Sequence, residues 1–381
     1  MDLASQPTQD AILETVDRFI ARHLPPSEIR RRDAGHIPPY DLLPLMGEAG
    51  FFRLAVPEAE GGLGEDWRTL ALVQERLGQH AYMAASILNR VVGFGIASVR
   101  GYGSDAQRAA FLPRLMAGRM LIALALTEPG AGSDAAAVAT RAERTPRGWR
   151  ITGGKIWISD ARGANLLLVV ARSTQGSTGA AGISLLLVPP DAPGVAMTGL
   201  PKIGNNCMPS WDIAFDGVEV AEDALMGKEG QGFRHLMSTL HASRASMAAT
   251  VTGAAEAALG LALDHARSRV QFGRPIGANQ AIRHRLTEMR MRVDASRLMV
   301  RHLAWLIATG QPCRREAAQA KVMASECLQF VADAGMQIMA SAGYAAESDM
   351  GRLWRDARLY SFGEGANEIL RDTIAREMGV P

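Results

Sequence analysis

Residues 126–135, LTEPGAGSDA, close the β-rich run LIALALT at 121–127, and their reading decides the fold. Taken as a GxGxxA dinucleotide fingerprint, the segment GAGSDA calls for a crossover helix, a second parallel strand and an acid about 20 residues further on. The chain continues instead with a short Ala-rich stretch and then RGWRITGGKIWIS at 147–159, an alternating strand pair with no acid at the end of a second strand. That test fails. The stretch reads better as a tight loop, either an ordinary glycine-rich turn or one whose glycines let backbone N–H groups and the hydroxyls of Thr127 and Ser133 approach a flat polar ligand.

Outward from the loop, NLLLVVAR at 165–172 and GISLLLVPP at 182–190 continue the short β-rich runs between Gly, Pro and Ser clusters, so residues 121–225 are expected to form an antiparallel β domain. Before it, Ile12, Val16, Phe19 and Ile20 recur at helical spacing, and Ser104 with Gln107 makes a capping-box pattern. Residues 1–120 read as a helical domain. After it, Leu286, Met289 and Val293 return to spacings of three and four, and GQP at 310–312 stops a helix, so 226–381 read as a C-terminal helical bundle. The fold class is α+β multidomain.

The chain has 381 residues, 48% of them hydrophobic, and can bury substantial cores. With 41 basic and 39 acidic residues it offers no broad electrostatic footprint for nucleic acid or an anionic membrane, so an anionic ligand must be held locally. Cys207, Cys313 and Cys327 are odd in number and far apart, which indicates neither a disulfide framework nor a thiolate metal site and fits a reducing cytoplasm. The N-terminal MDLASQPTQDAILETV carries acids where a signal peptide carries lysines, and no uninterrupted apolar run reaches the ~20 residues of a membrane span. The histidines form no HExxH, and no metal is expected. RRRD at 30–33 reads as a solvated helix face, and the 18 methionines read as core filler.

A second stretch carries chemistry. SFGEGANEIL, 361–370, sets Glu364 between Gly363 and Gly365 just before the last helix. Such an acid either caps the helix or is a carboxylate aimed by unusually free backbone. The helix start favours the ionised form by up to about 1 kcal/mol, whereas burial under a ligand raises a carboxylate pKa by several units. Desolvation is expected to win once a ligand covers the acid.

ALTEPGAGSD, GGKIWISDARGAN, RSRVQFGRPIGANQAI and RLWRDARLYSFGEGANEILRDTIAREMGV, together with LMGEAGFFRLAVPEAEGGLGE near the start, resemble the acyl-CoA dehydrogenase family in the same order and over nearly the whole chain. The resemblance implies an N-terminal α-helical domain, a middle β domain and a C-terminal four-helix domain. It also implies FAD-dependent α,β-dehydrogenation of an acyl-CoA thioester, with electrons passed to an electron-transferring flavoprotein. Glu364 matches the family's catalytic base, and its backbone N–H would help to hold the thioester oxygen. Relatives that carry the base on the long C-terminal helix have it where this chain has Ser243, which cannot serve. A specialised flavoenzyme on the same fold, such as an oxidase, monooxygenase or desulfinase, and a non-catalytic flavoprotein are the alternatives.

By the same resemblance, Leu126, Thr127, Gly132 and Ser133 meet the isoalloxazine ring, Ser133 also lies near the thioacyl end, and Trp157 and Ser159 cover the ring. Arg269, Gln271, Phe272 and Gln280 reach the FAD pyrophosphate and adenosine of a neighbouring subunit, which implies a dimer at least and usually a homotetramer; Gln337, Ala366 and Glu368 lie beside the dinucleotide. Ala340 and Ser341 stand where relatives commonly have paired glycines. His241, Arg244 and Gly365 fall at the substrate, His241 and Arg244 near the pantetheine arm, and Arg90 or Asn89 at the floor of the acyl pocket is a candidate for a polar or carboxylated tail, or else Arg90 faces outward.

Overall fold

The computed structural model describes residues 6–380. Residues 1–5, which begin the N-terminal stretch without signal-peptide character, lie outside that range. The N-terminal region is built from α1 (Pro7–His23), α2 (Pro26–Ala34), α3 (Leu42–Glu48), α4 (Trp67–His80), α5 (Tyr82–Asn89), α6 (Ala97–Tyr102) and α7 (Asp105–Met116). The expected capping box forms: Ser104 Oγ accepts from the Gln107 N–H at 3.1 Å and Gln107 Oε1 accepts from the Ser104 N–H at 3.0 Å. Between α5 and α6 the helix widens into a π-helical stretch, Arg90–Ile96. Such widening is frequent at functional sites.

The sheet comprises β1 (Ile122–Ala125), β2 (Arg141–Thr145), β3 (Gly148–Ser159), β4 (Leu166–Arg172), β5 (Ile183–Val188), β6 (Val195–Leu200), β7 (Ser210–Ala221) and β8 (Leu225–Met226), in the order β6-β7-β3-β2-β4-β5-β8 with β1 beside β4. No crossover helix succeeds β1, in keeping with the failed fingerprint test. The sheet is not wholly antiparallel, however: β1 runs parallel to β4, Ile122 opposite Leu166 through Ala125 opposite Val169. Both strands are almost entirely buried, the setting in which parallel pairs occur.

The C-terminal region holds α8 (Gly232–Ser268), a small hairpin of β9 (Val270–Gln271) and β10 (Arg274–Pro275), α9 (Gln280–Ala308), α10 (Arg314–Met339), α11 (Ser341–Tyr344), α12 (Asp349–Ala357) and α13 (Asn367–Glu377). Leu286, Met289 and Val293 are buried in this bundle's core, as their spacing predicts. α4 from the first region lies directly on α8, so close that a Cβ on Gly78 would sit 2.1 Å from the Thr250 carbonyl oxygen and one on Gly253 2.0 Å from that of Glu75. Only glycine allows this crossing.

RRRD is a solvated face only in its first half, where Arg30 and Arg31 are exposed. Arg32 and Asp33 are buried, Arg32 between Glu28 and Asp41 at 2.7 and 2.6 Å, and Asp33 against Arg355 of α12 at 2.7 Å. α2 is a seam between regions distant in sequence, so its charges are neutralised across the seam. The helices over Tyr82–Tyr102 and Gly232–Ser268 are long and apolar enough to cross a membrane, but 83% and 72% of their most apolar windows lie inside the fold.

Candidate active site

Glu364 occupies the turn ahead of α13 with φ 57°, and Gly365 has φ 106°. A non-glycine residue holds a left-handed conformation only where its surroundings over-determine it. Three side chains do so. Arg244 Nε, from α8, donates to the Glu364 carbonyl oxygen at 3.2 Å. Lys321 Nζ, from α10, donates to the Gly365 carbonyl oxygen at 2.7 Å and to Asn367 Oδ1 at 2.8 Å. Asn89 Nδ2, at the end of α5, donates to Glu364 Oε1 at 3.1 Å and to Ser243 Oγ at 3.3 Å. Gly365 is thus a conformational requirement of a clamped turn, whereas Gly363 does not hold a positive φ.

The second carboxylate oxygen, Oε2, is buried and has no partner among the described residues. Burial pushes the Glu364 carboxyl above its ordinary range, against Arg90, the nearby Ser243 hydroxyl, Arg244 and Lys321, which all favour the ionised form. Desolvation therefore outweighs these groups before any ligand arrives, and not only once one covers the acid. The capping alternative finds no support: Ala366 is the N-cap of α13, which has no side-chain cap.

The glycine-rich loop is clamped in a similar way. Lys155 Nζ donates to the Leu126 carbonyl oxygen at 2.9 Å and to Glu128 Oε1 at 2.7 Å, and Glu128 accepts from the N–H groups of Ala139 and Thr140 at 2.6 and 3.0 Å. Burial draws the Lys155 ammonium down to about 8. Burial works the other way on Glu128, but Lys155 and these hydrogen bonds hold it below the usual carboxylate range. With its inner side anchored, the loop turns Gly132 and Ser133 outward and leaves Leu126 and Thr127 half-buried. Nothing lies within 4 Å of where a Cβ would stand on Gly130 or Gly132.

Trp157 is 53% exposed with φ 61°, so it is not a core aromatic, and Ser159 beside it is half-buried. A strained tryptophan left on an open face next to outward hydroxyls fits a flat ring system such as isoalloxazine. Two consecutive residues join this strand end to the acid. Asn89 holds Glu364, while Arg90 Nε pairs with Asp160 Oδ2 at 3.0 Å, whose Oδ1 accepts from Tyr40 OH at 2.9 Å. Arg90 does not face outward; its side chain is 13% exposed.

The remaining expected positions are spread over the surface. Arg269, Gln271 and Phe272 form the exposed hairpin of β9 and β10, with Phe272 fully exposed at φ 51°, and Gln280 opens α9 nearby. Gln337 is exposed on α10, Glu368 is exposed and Ala366 half-buried at the start of α13. His241 is half-buried one turn before Arg244, and burial, Arg244 and Arg314 lower its pKa. Arg244, expected at the pantetheine arm, has its Nε engaged by the carbonyl of the Glu364 turn.

Sequence reading did not single out Lys155, Glu128, Asp160, Lys321 or Asn367. A signal existed for Lys321, a lone cation inside the apolar run AAQAKVMAS at 317–325.

Residues 6–119, 123–218 and 230–379 match the family models for the N-terminal, middle and C-terminal domains of acyl-CoA dehydrogenase. Over 371 residues, 97% of each chain, the sequence is 34% identical to a probable acyl-CoA dehydrogenase, YngJ, of Bacillus subtilis. The fold superposes with a TM-score of 0.94 on a chain from the structure of the electron transferring flavoprotein of Acidaminococcus fermentans, 32% identical and covering 99% of each chain. It superposes equally, at 0.94, on butyryl-CoA dehydrogenase from Megasphaera elsdenii, 30% identical over 99% of this chain and 100% of that one.

Proposed function

The chain belongs to the acyl-CoA dehydrogenase family of FAD-dependent oxidoreductases, and on that footing we propose that Glu364 removes the α proton of an acyl-CoA thioester. One observation carries this reading: half-buried Glu364 has one carboxylate oxygen fixed by Asn89 and the other, Oε2, screened from water and without a partner among the described residues. A base needs its accepting oxygen open and its orientation fixed, and exclusion of water makes a carboxylate a stronger base.

The Glu364 backbone N–H also has no partner among the described residues, which suits it to hold the thioester oxygen as negative charge develops there. Arg244 and Lys321 keep the turn from swinging. Leu126, Thr127, Gly132, Ser133, Trp157 and Ser159 are the residues that would hold the FAD ring. Bound FAD supplies the acceptor for the β hydrogen, taken as hydride.

Electron delivery to an electron-transferring flavoprotein is supported by the likeness to the Acidaminococcus fermentans structure. A homodimer or homotetramer is supported by the exposed Phe272 beside Arg269 and Gln271, a patch suited to a second copy and its FAD. Three free cysteines suit a cytoplasmic location.

The test is anaerobic addition of a panel of acyl-CoA thioesters while the flavin absorbance is followed. Bleaching by at least one is expected. Rapid recolouring in air would assign an oxidase instead, and an unchanged spectrum throughout would overturn the proposal.

A further inference from the structure

Lys321 is fully buried in the middle of α10, yet no carboxylate lies in contact with it among the described residues. A buried ammonium without a counter-charge in contact is costly. Both of its hydrogen-bond partners belong to the segment that carries the acid. One is the carbonyl of Gly365, next to Glu364, and the other is Asn367 Oδ1 at the first residue of α13. Asn367 is itself fixed, since its Nδ2 donates to Ser325 Oγ at 3.0 Å, one turn along α10 from the lysine.

We propose that Lys321 is a positioning residue for Glu364: it holds the Gly365 carbonyl and sets an ammonium that no contacting carboxylate cancels behind the turn that presents the acid. The proposal rests on Glu364 being the base. Other groups face the same acid: Arg90 from the π-helical stretch, Arg244 from α8, and Tyr360 ahead of the turn. Arg90 acts in the same direction but shares its charge with Asp160 at 3.0 Å. Lys321 in turn faces Glu326 on its own helix, Glu368 on α13, and Arg244. Burial draws its ammonium down to about 8, which leaves it charged at neutral pH.

Lys321→Gln tests the charge separately from the hydrogen bond, because the amide can still donate to Gly365. The acid limb of kcat/KM should move up by about one pH unit, whereas a purely structural lysine would lower stability and leave the limb in place. Lys321→Met should move the limb as far and also weaken the turn. If it fails to fold, the Gln variant still decides. A readout independent of turnover is the melting temperature near pH 7 with and without Glu364→Gln. That substitution removes a buried carboxylate, and its gain should be larger in the Lys321→Gln background than in the parent. An unmoved acid limb together with equal gains would overturn the proposal. Persistent flavin reduction in Glu364→Gln alone would instead remove the reading beneath it.

Discussion

The glycine-rich loop and the Glu364 turn are built to one plan and differ in one charge. In each, a buried lysine grips a backbone carbonyl, Lys155 that of Leu126 and Lys321 that of Gly365, and in each a non-glycine residue is held at positive φ nearby, Trp157 at 61° and Glu364 at 57°. Lys155 also touches the Glu128 carboxylate at 2.7 Å, whereas Lys321 meets only carbonyl and amide oxygens. A close ion pair confines most of its field to itself, while an unpaired buried cation acts on the next charge. The first brace holds backbone alone. The second holds backbone and also biases the acid it presents.

The largest expected effect is at the acid. Glu364→Gln should slow flavin reduction by about 10²- to 10⁴-fold at unchanged FAD content, measured by anaerobic stopped-flow absorbance and the ratio of flavin to protein absorbance. A loss of FAD in this variant would mean that the two regions are not independent. Next, Lys155→Met strands the buried Glu128 charge and should lower unfolding free energy by about 3–5 kcal/mol in urea titrations. Lys321→Met strands no contacting carboxylate and should cost less. Equal costs would break the distinction between the two braces.

A smaller effect is in pH dependence. Burial raises the folded-state pKa of Glu364 above its ordinary 4.5, so the native state binds the proton more tightly than the unfolded chain. The stability Glu364 contributes is therefore fully present below about 4.5 and is lost as pH rises through the folded value. Melting temperatures of the parent and Glu364→Gln across pH 4 to 8, buffer by buffer, should diverge in favour of Gln as pH rises. A constant difference would place the carboxylate in water. The smallest effect sharpens the comparison from outside. Ala340 also holds positive φ, 49°, but is exposed and has no lysine brace, so Ala340→Gly should stabilise the protein by about 1 kcal/mol in the same titrations.

The strands and the helical regions were legible because each is written locally: LIALALT and NLLLVVAR in apolar runs, and Leu286, Met289 and Val293 in spacing; the flanking glycines alone left Glu364 as a cap or an aimed carboxylate. The parallel pairing of β1 with β4 was not, because LIALALT shows burial on both faces but not the direction of its neighbour. RRRD misled in its second half for a related reason: Arg32 and Asp33 look solvated until their ion-pair partners, Asp41 and Arg355, are known.

Sequence by itself determined the order of the regions and, through the resemblance of its motifs to a family, which acid to expect as the base, since residue chemistry and glycine freedom are properties of short stretches. Only the tertiary structure decided what converges on that acid: Asn89 lies 275 residues from Glu364 along the chain, and Lys321 lies 44 from Gly365 and 46 from Asn367. Burial and counter-charge are set by what packs around a group in space, and no local stretch contains that information.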